Sequence, residues 1–530
     1  MRIIKKLAPS IFIIFLLLLF LKVDYRILNE LICCGDDYDY YSHAYTIAID
    51  LDFDYSNQLI QNHSETYTYK NKVAPLGFVG SGILSSPFLF IGNIFDKIFP
   101  YSDISNKVLI YSFSSIFYLL LAANLLFTSL KKLDKNPNYI FIFLVMFGSG
   151  LGYFSFERYS MTHVYEVFTI SLLFFIFVNI YKDNSKYINL FIALMPFAIA
   201  ICFLVRITNY YIILLPYIFK KLFFDNSRRN VYFNKYFITS SVISLCIFIT
   251  TINSIYGRVT LNPTQLYFDD QKLQIYLNQI SSFQSFFIYN FNIFKTFVFS
   301  QEFGILYFNP VVFGGFVISI IVIFNKKYSY LLNLTIILCF LSNFAIIGMW
   351  RSTASSYGYR YLLSLVALSI ILLYSQENSK FYKYFYYYIL FFSLFGSISI
   401  LFFESSMLTQ LSTTSVVNSF NNNILYSNPN YLSGLLFSIF DVNSYVKIIG
   451  NSFLFSFVVQ LLGVIFGFEK LYEFIYNFFG SSLPDDFEPY YIQIQNMPGY
   501  QFFVIFVFVY LISKFIRDKK NNYNSSIFII

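Results

Sequence analysis

Long uncharged apolar runs restrict this chain more than any other feature. The stretches 237–256, 330–349 and 384–403 contain no charged residue. As helices they cross a hydrocarbon core of about 30 Å, at 1.5 Å of rise per residue. Comparable runs recur along the 530 residues, more than a water-soluble core could enclose. Within lipid, backbone N–H and C=O groups must be paired inside the segment, as a helix pairs them. The expected class is an all-α polytopic integral membrane protein with about 12 transmembrane helices. Charged residues make up 12% of the chain, about half the share in soluble domains.

The remaining charge orients the spans. The formal net charge is +8, and the basic residues sit in short clusters between apolar runs, the pattern of cytoplasmic loops. Nucleic-acid binding is not expected. Residues 1–21 resemble a signal peptide, but no small-residue cleavage site follows Leu21. An uncleaved first span at 7–22 with a cytoplasmic N-terminus is expected. The following segment, 23–75, carries Asp24, Glu30, Asp36, Asp37, Asp39, Asp50, Asp52, Asp54 and Glu65 against only Arg26, Lys70 and Lys72, so it belongs outside. Segment 76–98 is interrupted by Gly77, Gly80, Gly82, Pro87 and Gly92 and reads as interfacial or re-entrant, adding to interfacial helices in the first outer loop. Spans follow at 105–129, 138–155 and 164–181, and 187–219 divides into two short spans meeting outside near Arg206. Further spans lie at 237–256, 305–324, 330–349, 359–375 and 384–403, with 257–302 an outer loop. Beyond an outer segment at 404–446, 448–468 reads as re-entrant and 501–516 as the last span. Cys202, Cys246 and Cys339 fall inside apolar runs as buried thiols, and the adjacent Cys33 and Cys34 have no metal-ligand spacing.

Placed on this topology, the unusual polar residues collect on the outer side. Asp36 and Asp37 precede a helix-like stretch, 38–49. Carboxylates there either cap the helix N-terminus or act as a general base in an outer cleft. The segment FERYSMTHVYE, 156–166, offers Glu157, Arg158, His163 and Glu166. It is either an interfacial ion pair with an aromatic anchor, or a second acid facing the first cluster. Carboxylate oxygens from the two loops could also hold a divalent cation, although no spacing demands a metal. Arg206, Arg351 and Arg360 are costly near hydrocarbon unless paired or snorkelling, and arginine's planar fork suits phosphate.

In order along the chain stand GDDYDYYSHAYTIAIDLDFDYSN, GFVGSGILSSPFLF, RYSMTHVYEVF, LVRITNYYIILLP, FGILYFNPVVF and MWRSTASSYGYRYL. With these segments, which reach from residue 35 to 362, the chain resembles the GT-C superfamily of membrane glycosyltransferases. That superfamily includes protein O-mannosyltransferases and lipid A aminoarabinose transferases, and the closer likeness is to its bacterial multi-pass members. The resemblance implies a catalytic carboxylate at Asp36 or Asp37 and a second acidic, acceptor or metal position at Glu157 and His163. It implies donor-phosphate contacts from Arg206 and Arg360, and a cleft lined by Tyr40, Trp350 and Tyr357. Residues 1–403 would form the transmembrane catalytic module and 404–530 a C-terminal part matching no named family. The chain departs from the pattern where Arg351-Ser352-Thr353-Ala354 follows Trp350 in place of a Gly-rich stretch.

The implied reaction moves a sugar from a polyprenyl-phosphate donor to an envelope glycan, lipid or protein acceptor, at the outer face of the plasma membrane and with inversion. A transporter, flippase or polymerase of lipid-linked glycans is the alternative, and would place ionisable residues at the midplane of several spans. A non-catalytic scaffold with helix-capping acids is a third reading.

Overall fold

A computed structural model describes residues 35–59, 67–69, 72–98, 106–156, 158–182, 187–206, 210–225, 231–260, 282–299, 304–323, 330–350, 359–377, 379–402 and 467–480, with a few single positions between them. The expected spans at 7–22 and 501–516, the segment 404–446 and most of 448–468 lie outside these residues. So do Glu157, Arg351, Tyr357 and the side chain of Trp350.

The described chain is mostly helical. Helix α1, Gly35–Tyr45, opens with Asp36 and Asp37 in its first turn, where carboxylates complement the helix dipole. It runs into a π-helical turn, Thr46–Asp50, and the short α2, Ser56–Leu59. A two-stranded antiparallel ladder follows, β1 Tyr67–Tyr69 with β2 Lys72–Ala74, beside the helices expected in this segment. Helix α3, Gly80–Ile98, contains Pro87. It turns into α4, Asn106–Lys132.

Expected span 138–155 is broken. Helix α5, Tyr139–Met146, is capped by Asn138 Oδ1, which accepts from Ile140 N and Phe141 N. It gives way at a kinked π turn, Phe147–Leu151, in which Gly150 takes φ 103°, a left-handed conformation available to glycine at no steric cost. Helix α6, Gly152–Phe156, ends the segment. Helix α7, His163–Lys182, and α8, Ile188–Val205, are unbroken. As expected, the helix stops at Arg206; a 3₁₀ turn, Tyr210–Leu214, leads into α9, Leu215–Phe223. Helix α10, Lys235–Tyr256, is capped by Asn234 and ends on Gly257 in the left-handed conformation.

The expected outer loop 257–302 contains a helix, α11, Phe283–Phe299. Its interleaved Gln284, Ser285, Asn290 and Asn292 lower the hydropathy below that of a span. Its inward residues still recur at helical spacing, with Ile293, Phe297 and Val298 buried. Expected span 305–324 is divided at Asn309 into α12, Ile305–Phe308, and α13, Pro310–Ile323. Helix α14, Tyr330–Trp350, precedes a 3₁₀ turn, Arg360–Leu362, and α15, Leu365–Ser375. Helices α16, Lys380–Phe402, and α17, Phe468–Phe479, complete the described chain.

Among the described residues, four helices are long and apolar enough to cross a membrane: Ile110–Lys132 of α4, α7, α8 and α10. They mark a membrane-associated protein. Helix α7 is apolar all round and is buried along 83% of its most apolar stretch, against 22% for α10. By that difference α7 is the central helix and α10 a peripheral one facing the surroundings. Helices α4 and α8 flank α7, α3 packs on α4, and α10 packs on α8. Of the three thiols expected to be buried, only Cys202 is enclosed; Cys246 is exposed on α10 and Cys339 is half-buried.

The glycines of segment 76–98 are places of close approach. A Cβ on Gly80 would run into the Leu204 and Val205 backbone at the end of α8, one on Gly82 into His43 of α1, and one on Gly77 into the Tyr40 ring. These contacts bring α1 and the start of α3 onto the end of the bundle where α8 stops.

Candidate functional site

Chain direction alone separates two kinds of end. Helix α7 starts at His163 and finishes at Lys182, about 30 Å away at 1.5 Å per residue. The Lys182 end carries Lys131 and Lys132 of α4: Lys132 Nζ donates to Asn179 Oδ1 (2.5 Å), and Lys182 Nζ pairs with Asp134 (2.5 Å). The His163 end receives the end of α8 at Arg206, the turn 158–162 and the turn before α15 at Arg360.

At that end three arginines meet three carboxylates. Asp37 is buried; Arg158 donates to its Oδ2 through Nε and Nη2, and Ser160 Oγ donates to Oδ1 at 2.7 Å. Arg206 Nη1 donates to Glu166 Oε1 at 2.9 Å, and Thr162 Oγ1 donates to the same oxygen at 3.0 Å. Arg360 Nη2 donates to Asp36 Oδ2 at 2.9 Å. Arg206 and Arg360 both lie against the Tyr361 ring, 4.7 and 5.4 Å from its centre. Asp36 and Asp37, expected either to cap α1 or to act as a base, stand in its first turn and each form an ion pair with an arginine from a distant segment.

His163 is enclosed among these charges, and Arg206, Arg360 and Arg158 all act on its ring electrostatically. Its Nδ1 lies 3.3 Å from Arg206 Nη1 and 3.8 Å from Glu166 Oε1. A guanidinium only donates, so Nδ1 is the acceptor and the proton sits on Nε2. The imidazole is neutral, and the longer approach to Glu166 is not an ion pair. Among the described residues, His163 Nε2 then carries a buried N–H without an acceptor, Arg360 Nε is in the same condition, and Glu166 Oε2 has no donor. Each such group costs about 1–3 kcal/mol if nothing satisfies it.

The Arg360 turn is held from behind by Asn309. This enclosed side chain donates from Nδ2 to Ser149 O (2.9 Å) and accepts on Oδ1 from Tyr359 N (3.0 Å). It joins the break after α12, the kinked π turn and the residue before Arg360. Ring contacts add to this, with Phe297 of α11 standing 4.8 Å from Tyr359.

Tyr40 packs its ring over Gly77, between α1 and the lead into α3. Asp50 accepts from Asn57 and Gln58, while Asp52 and Asp54 accept from Asp54 N and Ser56 N, so this acidic run folds its own loop. His43 lies apart from the arginines: Nδ1 meets Tyr55 Oη (2.7 Å) and Nε2 meets Gly77 O (2.9 Å). A carbonyl only accepts, so Nε2 carries the proton and Nδ1 accepts from Tyr55. Burial pushes the His43 pKa down to about 4. Among the described residues no group of three or more His, Cys, Asp or Glu side chains could hold a metal ion.

Segment 156–166 offers Arg158 and Glu166, while the expected second position is Glu157 with His163; Glu157 lies outside the described residues, and Ser160, Asn309 and Tyr361 carry no expected role. Arg158 and Ser160 were legible only as neighbours of His163. The tie made by Asn309 spans more than 150 residues to Ser149 and has no local signal. No family model, curated protein or solved structure matches the chain.

Proposed function

We propose that this protein is a membrane glycosyltransferase that moves a sugar from a polyprenyl-phosphate donor to an envelope acceptor at the outer face of the plasma membrane. The observation that carries the reading is the convergence of Arg158, Arg206 and Arg360 at one end of α7, with the Nε2–H of His163 and the Nε–H of Arg360 buried and without acceptors among the described residues. Donors left over in a low-dielectric site call for an oxygen-rich ligand, and a phosphate group is the common one for arginine forks. The lysine-bearing ends of α4 and α7 lie at the far end, which the charge rule assigns to the cytoplasm. The site then faces out.

The chemistry follows from charge. When the glycosidic bond to phosphate breaks, the leaving oxygen gains negative charge, and fixed cations in a water-poor cleft stabilise it. Arg206 and Arg360 are the groups assigned to that role, with His163 Nε2 as a neutral donor. A carboxylate at the start of α1 accepts the proton of the attacking hydroxyl. Charged residues of the four long apolar helices sit at or near their ends: Lys131, Lys132, Glu166, Lys182 and Lys235. That distribution favours chemistry at the membrane face over passage through it.

The test is transfer of radiolabel from polyprenyl-phosphate sugars to an envelope extract by purified protein in lipid. Wild type should transfer label, and Arg360→Gln, whose partner Asp36 is exposed, should lower the rate by about 100-fold while remaining monodisperse. Absence of transfer by folded wild type across a broad donor panel would remove the reading.

A further inference from the structure

The three arginine–carboxylate pairs differ in how easily they can open. Asp37 is enclosed and held by Arg158 and Ser160. Glu166 is enclosed and held by Arg206 and Thr162. The Asp36 side chain is 55% exposed, and Arg360 is its one hydrogen-bond partner among the described residues. Arg360 in turn keeps a buried Nε–H without an acceptor among the described residues.

Among the described residues, the three positive and three negative side chains at this end balance. An arriving phosphate finds none of these three arginines without a counter-charge and must exchange with a carboxylate. Displacing Asp37 or Glu166 would strand a charge away from water, which is strongly unfavourable. Displacing Asp36 returns it to solvent, and a pair with one exposed partner is held weakly. The exchange also supplies an acceptor to Arg360 Nε, since a guanidinium fork offers two parallel N–H groups to phosphate.

We propose that the Asp36–Arg360 pair is a latch opened by the phosphate of the donor, and that the released Asp36 is the general base. The inference rests on the lipid-phosphate sugar reading above. In the step, the acceptor hydroxyl oxygen bonds to the anomeric carbon. The bond from that carbon to the phosphate oxygen breaks, with its electron pair leaving on the phosphate. The hydroxyl proton passes to the Asp36 carboxylate. Arg360 holds the lipid phosphate until it departs, after which Asp36 gives its proton to water and pairs with Arg360 again. The base is thus withheld until a donor is in place, which guards against premature proton abstraction. Asp37 is a positioning residue, fixing the start of α1 against the turn at 158–162.

The experiment titrates farnesyl phosphate calorimetrically into the full chain in lipid nanodiscs, beside the transfer assay. Asp36→Asn should bind the probe roughly five-fold more tightly than wild type and transfer no label. Asp36→Glu, which can re-form the pair, should bind near the wild-type value and recover part of the transfer. Asp54→Asn, which removes an exposed carboxylate of the same segment, should bind as wild type does. Arg360→Gln should bind more weakly. Unchanged or weaker binding by folded Asp36→Asn, or equal tightening by Asp54→Asn, would overturn the latch even if wild type transfers sugar. Transfer retained by Asp36→Asn would overturn its role as base. Tighter binding by Asp36→Asn with no transfer by wild type would uphold the exchange at Arg360 and remove the transferase reading instead.

Discussion

At the scale of single residues, buried charge is held by specific partners, and its removal has unequal consequences. Asp37→Asn leaves Arg158 enclosed without its carboxylate. Breaking one side of a buried pair costs about 3–5 kcal/mol, so this variant should lose much of its folded yield on size exclusion, and Asp37→Asn/Arg158→Met should recover part of it. Asp36→Asn, at the exposed pair, should leave folded yield near wild type. His43 supplies a pH dependence of stability. Its folded pKa is about 4, and in the unfolded chain it titrates near the ordinary value of about 6.5. Above pH 6.5 both states are neutral at this site and the stabilisation is whole. As the pH falls the unfolded state takes the proton first, so stability declines until about pH 4, by up to about 3 kcal/mol. Thermal unfolding between pH 7 and 4.5 should show this slope in wild type and a shallower one in His43→Asn.

At the scale of elements, the site is made by places where helices stop. Arg206 follows the last residue of α8, Arg360 sits in the turn before α15, and Arg158 lies between α6 and α7. Stopping a helix frees backbone groups, and those near Arg360 are satisfied by Asn309. Asn309→Leu should leave Ser149 O and Tyr359 N without that partner and loosen the Arg360 turn. The expected result is a fall in transfer of about 10-fold or more, with farnesyl phosphate binding weakened in parallel. Gly80 acts through close packing, since any Cβ there meets the backbone of Leu204 and Val205. Backbone cannot step aside as a side chain can, so Gly80→Val should destabilise by about 2 kcal/mol or more, read as a lower midpoint of thermal aggregation.

At the scale of the whole molecule, the central α7 sets a polarity of ends, with the arginine–carboxylate cluster at its start and lysines at its finish. If the lysine end is cytoplasmic, an impermeant thiol reagent should label Asn57→Cys in intact cells. It should label Lys131→Cys only after permeabilisation. Both variants would be made in a background lacking the five native cysteines. The reverse labelling would invert the protein and place the cluster on the inner side.

The sequence by itself determined the class and most of the helices. Apolar runs of membrane length leave few other solutions, and α4, α7, α8 and α10 lie close to where their runs stand. It also announced the stop at Arg206, because an arginine within a run too long for one straight span marks a break. The ladder of β1 with β2, the polar-studded α11 and the kink at Gly150 were not legible, for each depends on neighbours that local hydropathy does not record. Only the tertiary structure decided which acid meets which arginine. Asp37 with Arg158 and Asp36 with Arg360 are separated by more than 100 and 300 residues. Such pairs form because helix ends from distant segments converge where unpaired charge is costly, and no local pattern encodes that convergence.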